Sequence, residues 1–332
     1  MKKLLLLTAL CTAAMPLMTS CVVSGCDNLF AEERLPLSSY KLNLTGEFTE
    51  VVNNTVIDIE FTQDADVSAE LACPEELTSF VIFSIADNVL TLKISDKLND
   101  SERNTVNRGL VYSKLFLTAP HLTGVTVNGS SAFSVPSDLR ADDLKARLNG
   151  SGDIDFSGVQ CNTLSAVLNG SGDMEFNREV KAKAVTMQVN GSGDLNCAIL
   201  TAGSAAASLN GSGDMVFNAV LVEDVDLRLN GSGDLEAHSI TAGKVDASLT
   251  GSGDIKLSGS CDRAILTLNN SGDLSARKLQ ARDVTATVIG SGEIICNAQN
   301  TLTAKVSGSG SIRYKGDPQL TCLSKPDNIE RF

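Results

Sequence analysis

A five-residue phrase that keeps returning limits most severely what this chain can fold into. Asn149-Gly150-Ser151-Gly152-Asp153 recurs with its two glycines at Gly170 and Gly172, Gly191 and Gly193, Gly211 and Gly213, Gly231 and Gly233, and Gly251 and Gly253. Asn269-Asn270-Ser271-Gly272-Asp273 continues the series. Weaker copies stand at Asn128-Gly129-Ser130-Ser131, Gly290-Ser291-Gly292-Glu293 and Gly308-Ser309-Gly310-Ser311. These ten copies lie 18 to 21 residues apart. A period held that long marks a stack of similar units.

The residues around each copy alternate between apolar and polar, which is the periodicity of a strand. Leu144, Ala146, Leu148, Ile154 and Phe156 share one parity, and Leu164, Ala166, Leu168, Met174 and Phe176 repeat it one unit later. Gly150 and Gly152 fall on the same parity, so the glycines are expected to point inward at a sharp corner. A third short apolar pair in each unit, such as Val159 with Cys161 or Val220 with Val222, predicts a third side. A unit of this kind cannot bury its apolar face alone, so successive rungs must stack. Stacking at about 4.8 Å makes the ten-copy portion roughly 48 Å long. Parallel crossovers are right-handed in nearly all cases, so the expected fold is all-β: a right-handed parallel β-helix, or β-solenoid, with rungs of about 20 residues. Aromatic residues make up only 4% of the chain and Trp is absent, which suits a thin interior filled by Leu, Val, Ile and Ala.

The organisation expected along the chain follows from where the repeat begins and ends. Residues 1–20 read as a lipoprotein signal peptide and 21–37 as a tether. Residues 38–318 read as the β-helix, with irregular, wider rungs over 38–122 and regular rungs over 123–315, and 319–332 as a C-terminal tail. Val56–Phe61 and Val89–Ile94 alternate as strands, while 96–107 reads as a polar, charged loop with no residue for a core. A separate small β-domain is the alternative for the irregular part.

Lys2 and Lys3 precede the apolar run Leu4–Leu10, which is too short to span a bilayer. Leu17-Met18-Thr19-Ser20-Cys21 then resembles a bacterial lipobox, in which small residues precede a Cys whose thiol receives a diacylglycerol. Cys21 is the expected lipidation site. Cys26, after Val23-Ser24-Gly25, is the competing one. The net charge of −13 deepens to −15 without the first 20 residues. Such a body repels phosphate backbones, so no nucleic-acid partner is expected.

The repeated Asn-Gly-Ser-Gly-Asp behind a lipobox resembles the bacterial family named putative auto-transporter adhesin, with its head GIN domain. Glu32-Glu33-Arg34, Leu90-Thr91-Leu92-Lys93-Ile94, Ala119-Pro120-His121-Leu122 and Gly308-Ser309-Gly310-Ser311-Ile312 with Gly316-Asp317-Pro318 match it too. The resemblance covers about residues 30–318. It implies a right-handed β-helix and an outer-surface or periplasmic role, with no known ligand.

Chemistry is sparse. A triad or metal site needs convergent His, Cys, Asp or Glu, and the chain has only His121 and His238. Gly150-Ser151-Gly152 starts a dinucleotide fingerprint, but Asp155 holds its sixth position and no helix follows. A β-helix lyase or hydrolase builds its cleft from long loops, and the near-constant rung length leaves no room for them between 128 and 314. No catalytic residue, metal or cofactor is assigned, and the chain is read as not an enzyme. Cys161, Cys197 and Cys296 are expected as small buried hydrophobes, whereas Cys73 and Cys322 could pair. The stripe Asp153, Asp173, Asp194, Asp214, Asp234, Asp254, Asp273 and Glu293 should face outward beside a stripe of Asn149, Asn169, Asn190, Asn210 and Asn230. Turn chemistry, with side-chain oxygens accepting backbone amides, is the expected reason, and cation binding the alternative.

The sequence thus points to a lipid-anchored cell-envelope protein, an outer-membrane lipoprotein facing either the periplasm or the outside. Its role is read as an adhesin-like or scaffolding and display module. The partners expected are the membrane, through the N-terminal lipid, and envelope proteins or surface glycans. An envelope assembly or stress factor is the first alternative and a carbohydrate-active β-helix enzyme the second.

Overall fold

The computed structural model of the protein describes residues 35–324 and 326–332. The expected signal peptide, Cys21, Cys26 and most of the expected tether lie outside the described residues. The described strands join in one hydrogen-bonded sheet wound into a solenoid of about ten turns. One regular rung runs Asp143–Gly150, Asp153–Phe156 and Val159–Gln160, three sides separated by tight corners. Each side lies parallel on its counterpart a rung later, so Leu144 faces Leu164, Leu148 faces Leu168, Phe156 faces Phe176 and Val159 faces Val180. In several later rungs the second side, the third side and the next first side merge into strands of 16 to 18 residues, such as Met174–Gly191.

Equivalent side chains therefore stack into apolar columns along the axis. Leu148, Leu168, Val189, Leu209, Leu229 and Leu249 are all fully buried, and the Phe156 and Phe176 rings stack 5.5 Å apart. Burying each such aliphatic side chain contributes about 1.5–3 kcal/mol before entropic costs. The third side buries the first member of each predicted pair, Val159, Val180, Val220 and Ile240, and Leu200 with them, but Cys161, Ala182 and Ala242 are only half-buried.

The N-terminal region is built differently. Its elements are β1 (Ser38–Lys41), β2 (Glu50–Asn54), β3 (Asp58–Gln63), β4 (Ser68–Cys73), β5 (Val81–Ala86), β6 (Val89–Ile94), helix α1 (Asp100–Leu110), β7 (Lys114–Ala119), β8 (Gly124–Gly129) and β9 (Ala132–Val135). β2 pairs in parallel with both β6 and β8, and β3 with both β7 and β9. The first rung in sequence is thus second in space, inserted between the β6–β7 rung and the regular stack. Outside it, β5 runs antiparallel to β6, β4 antiparallel to β7, and β1 antiparallel to β4. These strands cap the solenoid within its own sheet.

Two expectations need correction. The loop read over 96–107 contains most of α1, which fills the corner between β6 and β7. The Asn99 side chain accepts the Glu102 amide, and the Glu102 carboxylate accepts the Asn99 amide, both at 2.9 Å, forming a capping box. Val106 and Leu110, one turn apart, are buried against the core, so the segment does carry core residues. Residues 319–332 also form more than a tail. Gln319–Cys322 lies parallel on Thr301–Ala304, and Ile329–Arg331 on Ile312–Tyr314, making a last partial rung. Its end is pinned by the Phe332 ring, 4.9 Å and 5.0 Å from the Arg277 and Arg313 guanidinium groups. The physical reason is the exposed strand edge and apolar end that any solenoid must cover.

Candidate functional site: the repeated corner

The corner between the first and second sides is where the repeated phrase of each rung acts. The first glycine has a positive φ, +144° at Gly150 and +153° at Gly211, a conformation that L side chains rarely adopt. This turns its carbonyl along the solenoid axis, where it accepts amides from the next rung. Gly129 O takes Ser151 N at 2.9 Å and Gly152 N at 3.0 Å, and Gly150 O takes Ser171 N and Gly172 N in the same way. That carbonyl occupies the space a side chain would need. A Cβ on Gly211 would lie 1.8 Å from Gly191 O, and one on Gly213 2.0 Å from Gly193 O.

The expectation that both glycines face inward therefore needs refinement. Gly152, Gly172, Gly193, Gly213, Gly233 and Gly253 are buried, but Gly150, Gly170, Gly191, Gly211, Gly231 and Gly251 are half-buried. What excludes a side chain at both positions is the backbone of the preceding rung rather than a narrow interior. The serine between them is exposed.

The two polar stripes are hydrogen-bonded ladders. Asn128 donates from Nδ2 to Asn54 Oδ1 at 2.6 Å, and the pattern continues through Asn149, Asn169, Asn190, Asn210 and Asn230 at 2.8–3.0 Å. A neutral hydrogen bond of this kind contributes about 0.5–1.5 kcal/mol net. In the acidic stripe Asp153, Asp173, Asp194, Asp214, Asp234 and Asp273 each accept the amide of the acid one rung on. Asp153 Oδ1 takes Asp173 N at 3.1 Å, Asp194 Oδ1 takes Asp214 N at 2.8 Å, and Asp214 Oδ1 takes Asp234 N at 3.0 Å. Like charges at rung spacing repel by about 0.9 kcal/mol in water, and these amide donors offset it. Lys256 adds local compensation by reaching Glu236 at 2.8 Å, and its hydrogen bond holds the Glu236 carboxyl below its ordinary range. Asp155 is the opposite case: burial first, then the charges of Glu175, Asp153 and Asp173, raises its carboxyl. Among the described residues, no group of three or more His, Cys, Asp or Glu is arranged to hold a metal ion.

The first rung has its own version of this corner, which the sequence reading missed. Buried Asn53 donates to Ile57 O at 2.7 Å and to Ser131 Oγ at 2.9 Å, and its Oδ1 accepts from Thr55 N and Oγ1. Asn54 starts the asparagine ladder, and Asp58 Oδ1 accepts Ala132 N at 2.8 Å. The signal was available in Asn54 and Asp58 flanking the turn before an alternating strand. A side-chain network takes the place of the glycines there.

Cys197 and Cys296 are buried, with burial pushing each thiol up to about 12, and Cys261 likewise. Cys161 is half-buried and raised to about 11. Cys73 is buried in the cap and Cys322 is exposed in the last rung; both are free and they sit at opposite ends. His121 is exposed, and His238 lies 3.1 Å from Glu236 on the surface.

One groove of about 220 Å³ breaks the even surface on the third side, lined by Asp138, Arg140, Gln160, Arg178, Glu179 and Lys181. It sits beside a register shift between Phe176 and Glu179, in a 21-residue rung. Gly158 forms part of its wall; a Cβ there would lie 2.7 Å from Asp138 Oδ1.

The family described as "Putative auto-transporter adhesin, head GIN domain" matches residues 47–222 and 218–318, which takes in the cap from β2 onward and all the regular rungs. The chain belongs to that family. Three solved structures are similar to this head GIN chain. A putative adhesin from Parabacteroides distasonis is 21% identical, with 90% of this chain and 98% of that one covered and a TM-score of 0.40. A putative adhesin from Bacteroides fragilis is 20% identical over 89% and 97%, at 0.35. A protein described as a putative lipid binding protein, also from P. distasonis, is 17% identical over 90% and 97%, at 0.37. Likenesses at these scores carry no argument about the site. No curated protein matches.

Proposed function

We propose that this head GIN protein is a lipid-anchored rod of the cell envelope that works by contact, as an adhesin-like display module, without catalysing a reaction. The observation that carries the reading is the parallel stacking from β2 to the last rung, in register along the whole first side of the regular rungs, which repeats its outward positions along the axis. Such a rod offers the same chemistry many times over, and repeated weak contacts add by effective concentration. The corners, where a repeat protein could carry a cleft, are consumed by hydrogen bonds between rungs. The groove on the third side is the candidate contact point: Arg140 and Lys181 flank Gln160 there, and neither cation makes an ion pair among the described residues. A carboxylated or sulfated surface glycan fits that chemistry.

The test is attachment of cells to an immobilised acidic glycoprotein. Cells carrying the native protein should attach. Deletion cells, Cys21→Ala cells and cells with Arg140→Ala and Lys181→Ala together should attach several-fold less. Equal attachment by native and deletion strains would refute the contact role. Loss with Cys21→Ala but not with the groove variant would keep that role and refute the groove as the contact point.

A further inference from the structure

Six Asn-Gly dipeptides lie in this chain, with their asparagines at Asn128, Asn149, Asn169, Asn190, Asn210 and Asn230. Asn-Gly is the sequence in which a carboxamide is most open to attack by the following backbone amide, because glycine has no side chain to obstruct the approach. In five of the six the carboxamide is held from both sides. Its Nδ2 donates to the preceding rung, and its Oδ1 accepts from the following one. Asn230 is the exception. It donates to Asn210 at 2.9 Å, but the residue in register on the next rung is Thr250, which has no amide to offer. Asn230 is also exposed, whereas the other five are half-buried.

We infer that Asn230-Gly231 is a spontaneous modification site at the open end of the asparagine ladder. The Gly231 amide nitrogen gives up its proton to water and bonds to the Asn230 side-chain carbonyl carbon. The carbon–nitrogen bond of the carboxamide breaks, and ammonia leaves carrying a proton. Water then opens the cyclic imide at either carbonyl, leaving aspartate or isoaspartate; nothing is oxidised or reduced. The product carboxylate has no N–H for Asn210 Oδ1. Asn210 thereby becomes the new end of the ladder, held from one side only, and the reaction moves back along the rod one rung at a time. Each event adds a negative charge beside the Asp stripe. An isoaspartate also lengthens the backbone at a corner where Gly251 packs on the Gly231 carbonyl.

The experiment is a time course of the folded protein in mildly alkaline buffer, with proteolysis and fragment-ion mass spectrometry placing the one-dalton gain at each asparagine. Freeing one hydrogen bond corresponds to roughly tenfold in rate, so Asn230 should react about tenfold faster than the other five, and Asn210 should follow after a lag. In urea the six rates should converge. Thr250→Asn joins the ladder to Asn269, its register partner on the following rung, so it should slow Asn230 to the rate of the other five. Asn230→Ala should abolish the lag at Asn210. Native rates equal across the six, no modification at Asn230 in the folded protein, or no slowing in Thr250→Asn would each overturn the inference.

Discussion

The regular rungs and the N-terminal cap solve the same problem, turning a strand through a corner, with opposite materials. In the rungs the corner is backbone: a glycine carbonyl aimed down the axis and two amides of the next rung received on it. In the cap it is side chains, the Asn53–Thr55–Ser131 network in one place and the whole of α1 in another. A backbone corner leaves little room for a substituent, with Asn270 at φ +92° the one side chain in the first glycine's place among the described regular rungs, and it stacks without limit. A side-chain corner accepts insertions but occurs once. The cap should therefore bend where the rungs break.

Glycine substitutions give the largest contrast. Gly211→Ala drives a methyl into Gly191 O and strains a residue at +153°, and should cost about 3 kcal/mol or more. Gly46, in the cap, also has a positive φ, +126°, but its nearest neighbour is Ile85 Cγ2 at 3.5 Å. Gly46→Ala should cost only about 1 kcal/mol, the conformational part alone. Chemical denaturation of both variants checks this, with exposed Ser212→Ala, expected within about 0.5 kcal/mol of the native protein, as the control. Equal costs at Gly211 and Gly46 would remove the distinction between the two kinds of corner.

Next comes the independence of the cap. Leu110→Ala leaves a cavity under α1 and should cost about 2–5 kcal/mol, and Asn99→Ala, which loses the helix cap, about 1 kcal/mol. Native-state hydrogen exchange should show the loss confined to α1 and β4–β7 while the regular rungs keep their protection. Uniform loss along the rod would mean that cap and rungs unfold as one unit.

What could be read from the sequence follows the same division. Parity alone placed Leu144, Leu148, Ile154 and Phe156 in the interior, because a stack of equal rungs repeats its pattern in the chain. The insertion of β2–β3 between two later rungs leaves no such trace, since pairing order is a tertiary choice among similar alternating strands. Helix α1 was missed because its buried face is only Val106 and Leu110 in a charged segment, although Asn99 and Glu102 spell a capping box. The inward reading of Gly150 was incomplete for a related reason: parity knows two faces of a strand and nothing of the axis along which rungs meet. The asparagine and acid stripes were legible as stripes; the acids accept backbone amides as expected, whereas the asparagine oxygens accept the side-chain amides of the next rung, which parity gives no sign of.

A smaller effect concerns Asp155, which sits at the second rung of the regular region. Its carboxyl is raised, so its ionised form is disfavoured in the folded protein. The cost is absent at low pH, where folded and unfolded carboxyls are both protonated, and is complete once the pH has risen through the folded pKa. Asp155→Asn should therefore raise the melting temperature slightly at neutral pH and leave it unchanged in acid. A rise of the same size at both would point to packing rather than charge.

The smallest expected effect tests the central claim most directly, that the repeated corner is architecture and its acids are committed to the next rung's amides. Asp→Asn keeps the Oδ1 acceptor at Asp194, Asp214 and Asp234 while removing the charge, so the triple variant should melt at or slightly above the native temperature. Millimolar calcium should shift neither protein. A calcium-dependent rise of several degrees in the native protein, lost in the triple variant, would show by mass action that the stripe binds cations, and would contradict the claim.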